Sequence, residues 1–225
     1  MMDWSAIALS LRLALATLLI LLPLALAVAR WLAVTSFRGK PWIEGLLALP
    51  LVLPPTVIGY YLLVSMGRQT LFGQYYERLV GHTLAFSFEG LVVASILFNI
   101  PFAVQPMQRA FAAIPREVRE AAQCCGLTFR QALLRIELPL AWPGILSAAV
   151  LTFAHTLGEF GVVLMVGGNI PGETKTVAIA IYDRVQSFDT ASAGAMALLL
   201  LVISLVTIAV SYGLAERLLK GRRAS

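Results

Sequence analysis

The sequence predicts an all-α membrane protein of about five transmembrane helices, and three observations support that prediction. Of its 225 residues, 59% are hydrophobic and only 13% are charged. The mean hydropathy is +0.84. Five separate stretches reach the roughly 20 apolar residues that a helix needs to cross a bilayer. Soluble domains carry about 25% charged residues, so this chain has more apolar surface than a soluble core could bury, and the excess must face lipid.

The predicted spans are, in chain order, Ile7 to Ala29, Leu46 to Met66, Phe86 to Met107, Leu140 to Val162 and Ala191 to Ala215. The first is longer than the apolar core of a secretory signal and lacks a positive leader, which favours a helix that stays in the membrane. In the second span Pro54 and Pro55, together with Pro50, interrupt the helical hydrogen bonds. Such a break is tolerated against packed protein or beside a water-filled path, and the sequence leaves both open. Asn99 and Pro101 pose the same alternatives in the third span.

Two further apolar runs, Val162 to Val166 and Val177 to Ile181, are too short to span. They predict a re-entrant or interfacial segment within a loop of about residues 163–190. With no repeat, low-complexity run or soluble domain in view, residues 1–225 are predicted to form a single membrane domain.

The basic residues predict the orientation. With five spans, one set of loops holds 12 of the 17 Lys and Arg residues, and that set is expected to be cytoplasmic. The N-terminus is then outside and the C-terminus inside. The net charge of +5 follows from this topology and requires no nucleic-acid partner.

A dense charge run interrupts the apolar pattern between the third and fourth spans, within a cytoplasmic loop of about residues 108–139. Pro115 suits the first turn of a helix that ends at Gly126, a good left-handed terminator. Thr128 and Gln131 have capping-box spacing and predict a second short helix, which Pro139 is expected to end before the fourth span. The charged residues of this run suggest a surface that meets another protein: Glu117, Arg119, Glu120, Arg130, Arg135 and Glu137.

Within this loop the spacing is specific: a Glu-Ala-Ala triplet, three residues, Gly, nine residues, Ile, one residue, Leu-Pro. The residues are Glu120, Ala121, Ala122, Gly126, Ile136, Leu138 and Pro139. This resembles the EAA loop of ABC importer permeases. The resemblance implies the type I importer permease fold and a coupling helix that docks on a cytoplasmic ATPase. The alternative is an amphipathic surface helix with a solvated charged face.

The sequence contains no ATP site of its own. Its only Gly-Lys pair, Gly39 and Lys40, is followed by Pro41, so the phosphate-binding loop pattern is absent. No catalytic or metal-ligating set is present either, and the adjacent Cys124 and Cys125 are interpreted as small apolar filler. The chain is therefore predicted to be a pathway subunit that binds no cofactor, with ATP used by a separate ATPase.

Two longer stretches, Leu49 to Gly73 and Leu157 to Gln186, resemble molybdate ABC transporter permeases, especially in the GEFG and NIPGET elements. The resemblance implies a multi-pass protein of the bacterial cytoplasmic (inner) membrane. The implied partners are a second copy of the chain, two ABC ATPases and a periplasmic or surface molybdate-binding protein. Tungstate and sulfate or thiosulfate remain alternative substrates.

The gate or pathway candidates are Pro54, Pro55, His155, Gly158, Glu159 and Gly161. Glu159 is placed near the outer end of the fourth span, one helical turn after His155. A carboxylate repels a dianion, so a structural or gating role is favoured over substrate contact, with backbone N–H groups or His155 as its partner. Gly158 and Gly161 are expected to let two copies pack closely. If His155 and Glu159 formed a buried relay, the rival reading would be an ion-coupled secondary transporter.

Overall fold

The structure, a computed structural model, describes residues 2–223, and the side chains of 211, 212 and 214–223 fall outside that description. The last four basic residues that the orientation prediction counts as cytoplasmic have side chains outside the description: Arg217, Lys220, Arg222 and Arg223. The described chain is helical and has no strand. Its elements are α1 (Trp4–Val34), α2 (Lys40–Val52), α3 (Pro55–Met66), α4 (Leu71–Val80), α5 (Phe88–Ala112), α6 (Arg116–Cys124), α7 (Phe129–Ala132), a π-helical turn (Leu133–Glu137), α8 (Leu138–Gly158), α9 (Gly161–Gly167), α10 (Val177–Gln186) and α11 (Thr190–Arg223).

Four helical runs of the described residues are long and apolar enough to cross a membrane: Trp4–Val34, Phe88–Ala112, Phe129–Gly158 and Thr190–Val210. The second predicted span, Leu46 to Met66, is instead a bent pair of helices, because α2 and α3 meet at 108°. Pro54 has an extended backbone and Pro55 begins α3. Two adjacent prolines remove two N–H donors and disfavour helical geometry in the preceding residue, so the helix cannot continue through them.

The fourth span differs from its predicted limits of Leu140 to Val162. Pro139 does not end the preceding short helix, since α7, the π turn and α8 form one run from Phe129 to Gly158. The Leu138 N–H donates to the Leu133 carbonyl, five residues back, and the π turn ends at Glu137, two residues before Pro139. At its other end the span stops at Gly158, and a separate short helix, α9, follows after Glu159 and Phe160.

The core of the bundle is built by α1, α5 and α8, with α9 packed against α3 and α5. Small buried residues such as Ala29, Ala103, Ala141 and Ala148 allow the three long helices to approach closely. Because α11 packs mainly on α8 and α10, most of the surface of its Thr190–Val210 part stays exposed, as expected of a helix that faces lipid.

Two contacts of α1 define the ends of the bundle. Near its start, the Ser10 hydroxyl accepts a hydrogen bond from the Val177 N–H at 2.8 Å, which joins α1 to α10. We call this end of the bundle the Arg12 end, after the charged residue that follows Ser10 on α1. Near its finish, Arg30 pairs with Glu137 in the π turn; we call this the Arg30 end. The orientation of these ends in the membrane stays a prediction.

Candidate functional site

At the Arg30 end, α6 and α7 form the helix, glycine turn and helix that the sequence predicts. Gly126 has φ +73°, in the left-handed region. The Gly126 N–H donates to the Gln123 carbonyl at 2.9 Å and the Leu127 N–H to the Ala122 carbonyl at 3.1 Å, the two bonds of a Schellman motif. The predicted capping box of Thr128 and Gln131 starts α7.

The residues of the EAA pattern divide between an outer and an inner surface. Glu120, Ala121 and Gly126 are exposed, whereas Ala122 is buried. The Glu120 side chain is 59% exposed and pairs with Arg116 at 2.9 Å, a contact between exposed groups that contributes at most about 1 kcal/mol. A partner could therefore displace this pair at little cost. The second part of the pattern, Ile136, Leu138 and Pro139, is half-buried.

Glu137 was expected to be one of the partner-facing charges, and the structure corrects this. It is only 3% exposed and accepts two hydrogen bonds from Arg30, each of 2.8 Å. Arg119, on α6, also turns inward and donates to the carbonyls of Phe111 and Ile114. In the sequence, Glu137 and Arg119 look like the exposed charged residues of the same run. Only the fold shows that these two side chains turn inward.

Towards the Arg12 end, Glu159 occupies the break between α8 and α9. It is 6% exposed, and its Oε1 accepts a hydrogen bond from the Val162 N–H at 3.0 Å. The backbone there is extended because α8 has ended at Gly158. Glu159 therefore does not share a helical face with His155, and the hydrogen-bond partner of its carboxylate is the Val162 backbone N–H.

His155 instead contacts α5. Its Nδ1 lies 3.0 Å from Asn99 Oδ1, and its ring stacks on Phe102, with 3.9 Å between the ring centroids. The Asn99 amide nitrogen donates to the Ser95 carbonyl at 2.8 Å, and the Ser95 hydroxyl accepts from Thr17 at 3.0 Å. Asn99 is fully buried in this network, so it joins α1, α5 and α8 and does not line an open path in this conformation.

The two glycines beside Glu159 have different surroundings. A Cβ on Gly161 would lie 2.8 Å from Pro55 Cβ, so this glycine is needed for packing of α9 against the start of α3 within one chain. Gly161 thus has a packing role within the chain, and its expected contact with a second copy stays a prediction. Gly158 is exposed, and a Cβ there would meet nothing within 4 Å. Pro54 and Pro55 are exposed as well. Gly158, at the α8–α9 break, and Pro54 and Pro55, at the α2–α3 break, are therefore open to contact with another molecule.

The loop between α9 and α10 has a fixed shape at the Arg12 end. The Ile170 carbonyl accepts three backbone N–H groups, and the Thr174 hydroxyl accepts from the Ile170 N–H at 3.1 Å. Asp183 lies 2.7 Å from Lys175 Nζ and accepts from the Asn169 amide at 2.9 Å. Partial burial acts to raise the pKa of Asp183, but the hydrogen bonds from Lys175 and Asn169 outweigh it and lower that pKa. Hydrogen bonds within the loop and to Asp183 on α10 therefore hold the NIPGET stretch in place.

A comparison with protein families identifies the chain. Residues 21–221 match the family described as binding-protein-dependent transport system inner membrane component. The chain belongs to this family. It is 47% identical over 191 residues to the molybdenum transport system permease protein of Azotobacter vinelandii, covering 85% of this chain and 84% of that protein. The corresponding protein of Haemophilus influenzae is 40% identical over 220 residues, covering 97% and 96%.

The fold agrees with this membership. A chain from the crystal structure of a bacterial ABC transporter that imports the acidic polysaccharide alginate superposes with a TM-score of 0.77. The match covers 95% of this chain and 79% of that chain, at 18% identity, so it supports the fold alone. The predictions of a multi-pass inner-membrane protein and of an importer permease fold are confirmed.

Proposed function

We propose that this permease carries molybdate across the cytoplasmic membrane, driven by a separate ATPase that docks on α6. The observation that carries the proposal is the exposed EAA surface at the Arg30 end. It combines a short helix, a glycine turn and a weakly held Arg116–Glu120 pair, all accessible on one side of the bundle. Charged groups released from such a pair can form charge-assisted hydrogen bonds with a partner.

Molybdate is the proposed substrate because both curated relatives with high identity are named molybdenum transport permeases. The NIPGET and GEFG elements support the same choice. The carboxylate of Glu159 is buried and accepts a hydrogen bond from the backbone N–H of Val162, which supports a structural role at the α8–α9 break over contact with a dianion. Tungstate and sulfate, as oxyanions of the same charge, are the competing substrates.

A second copy of the chain completes the pathway in this proposal. Five spans enclose little space, whereas two copies around a two-fold axis can line one path. The break at Pro54 and Pro55 is exposed, and Gly161, which packs on Pro55, connects it to the break that follows the exposed Gly158. Small and non-helical positions of this kind let membrane segments approach closely, so we place the second copy there.

The proposed cycle is alternating access in an assembly of two permeases, two ATPases and one external binding protein. Closure of the ATPases on ATP moves both copies of α6, the permeases open outward, and the binding protein releases its oxyanion into the path. Hydrolysis returns the inward-facing state. The rival, an ion-coupled transporter, requires a buried proton relay, and the observed partners of His155 and Glu159 are Asn99 and backbone.

The test is uptake into proteoliposomes that contain the chain and its ATPase, with external binding protein. Molybdate, tungstate and sulfate are compared with and without internal ATP. ATP-dependent molybdate uptake well above sulfate uptake is the expected result. Sulfate uptake of equal size would overturn the substrate, and uptake independent of ATP would overturn the mechanism.

A further inference from the structure

A cluster of three charges, the buried Glu137 and the half-buried Arg30 and Arg119, joins the coupling region to the membrane spans at the Arg30 end. Arg30 Nε and Nη2 donate to the two carboxylate oxygens of Glu137, each at 2.8 Å. Arg119 Nε lies 3.8 Å from Glu137 Oε2. Arg30 is on α1, Glu137 immediately precedes α8, and Arg119 is on α6, so one carboxylate faces an arginine from α1 and another from the proposed coupling helix.

The fork of hydrogen bonds between Arg30 and Glu137 fixes the distance and the angle between α1 and the π turn. Two parallel hydrogen bonds between an arginine and a carboxylate fix the relative orientation of the two groups better than a single bond does. The Arg30 guanidinium also lies 4.5 Å from the centroid of the Phe129 ring, at the start of α7. These contacts attach both ends of the Phe129–Glu137 segment to α1.

The contact of Arg119 with the same carboxylate is incomplete. Its Nε is buried and has no hydrogen-bond partner among the described residues, because 3.8 Å exceeds hydrogen-bond reach. Its other nitrogens donate to the carbonyls of Phe111 and Ile114, at and just beyond the end of α5. A buried donor without a partner is unfavourable, so a shift of α6 by about 1 Å toward the π turn would be favoured by a new charge-assisted bond.

The π turn gives this cluster a second mechanical property. It contains one residue more per turn than an α-helix, which offsets α7 from α8 by about 100° around the helix axis. Such turns are frequent at functional sites. Glu137 is the last residue of the turn and so lies where the coupling segment joins the span.

We propose that Glu137 is a positioning residue that transmits movement of α6 to α1 and α8, and that Arg119 closes onto it in one state of the transport cycle. The proposal rests on the proposed function, since it assigns the route by which docking on α6 moves the spans. Glu137 occupies the variable position between Ile136 and Leu138, so it adds a residue to the EAA pattern.

The experiment measures substrate imported per ATP hydrolysed, using the complete transporter in proteoliposomes with molybdate and binding protein. Glu137→Gln keeps the size of the side chain and removes its charge. We expect ATP hydrolysis to continue and the import per ATP to fall at least about five-fold, the lower end of couplings measured between distant sites. Glu44→Gln is the matched control. This carboxylate on α2 lies 3.9 Å from Lys40 Nζ and accepts a hydrogen bond from Gln108 on α5 at 2.6 Å, which the glutamine oxygen can still accept, so the variant is expected to leave the ratio unchanged.

A conservative variant distinguishes coupling from folding. Arg30→Lys keeps the positive charge and loses the two-bond fork, so it is expected to assemble with the ATPase and to give an intermediate ratio. If Glu137→Gln assembles and imports as much per ATP as the wild type, the inference is wrong. If Glu137→Gln does not assemble, a wild-type ratio for Arg30→Lys overturns the inference. Absence of ATP-driven uptake in the wild-type transporter would instead overturn the proposed function.

Discussion

Replacement of Gly126 by alanine tests whether the turn after α6 must be left-handed. Gly126 has φ +73°, and a Cβ there would meet nothing within 4 Å. The substitution therefore adds no clash, and its cost is conformational: about 1–2 kcal/mol for a left-handed L-residue. The two hydrogen bonds of the turn, at 2.9 and 3.1 Å, contribute roughly 0.5–1.5 kcal/mol each. The strain that alanine adds is thus similar in size to the free energy of the two hydrogen bonds. A strain of about 1–2 kcal/mol lowers the population of the native turn by a factor of about 5–30.

The assay is titration of the ATPase against the chain in lipid nanodiscs, with ATP-driven uptake measured on the same samples. Gly126→Ala should weaken ATPase binding by up to that factor. Gly126→Asn should weaken it less, because asparagine tolerates the left-handed conformation. Gly45→Ala is the control, since Gly45 lies inside α2 with nothing within 4 Å of an added Cβ. Wild-type binding by Gly126→Ala, or equal losses for alanine and asparagine, would refute the conformational reasoning.

Three further predictions concern the Arg12 end. Gly161→Ala should lower the free energy of unfolding by about 1–3 kcal/mol, because the new Cβ would lie 2.8 Å from that of Pro55, whereas Gly158→Ala should leave it unchanged. Equal melting temperatures of the two purified variants would contradict this. Glu159→Gln should keep most of the stability because the amide oxygen still accepts the backbone N–H, whereas Glu159→Ala should lose about 1–3 kcal/mol, and equal losses in denaturant unfolding would show that the hydrogen bond is unimportant. Although partial burial acts to raise it, hydrogen bonds from Lys175 and Asn169 hold the pKa of Asp183 below its ordinary value, so the stabilisation of the loop by Asp183 is present above that ordinary pKa and is lost as the pH falls through the lower folded pKa; hydrogen exchange of the backbone N–H groups of residues 169, 170 and 172–175 should show this step, and Asp183→Asn should abolish it.

The coupling region was predictable because its shape depends on neighbours in sequence. Gly126 ends a helix through bonds that reach back only three and five residues, and the capping box of Thr128 and Gln131 spans four residues. Backbone sterics and capping therefore define it whatever the rest of the fold does. The α2–α3 break was foreseen as a proline effect, but its angle of 108° depends on packing of α3 against α9.

By itself, the sequence determined that this protein folds in a membrane, where four of its long apolar helices lie, and the spacing that identifies its coupling loop. These properties depend on composition and on contacts within about one or two helical turns. Only the tertiary structure decided that Glu137 is buried against Arg30, that Gly161 packs against Pro55, and that His155 contacts Asn99 and not Glu159. Each of these contacts joins segments 56 or more residues apart, or depends on where a helix ends. The two polar pairs form because buried polar groups have no water to bind and must find a partner on a neighbouring helix, whereas Gly161 and Pro55 meet through close packing.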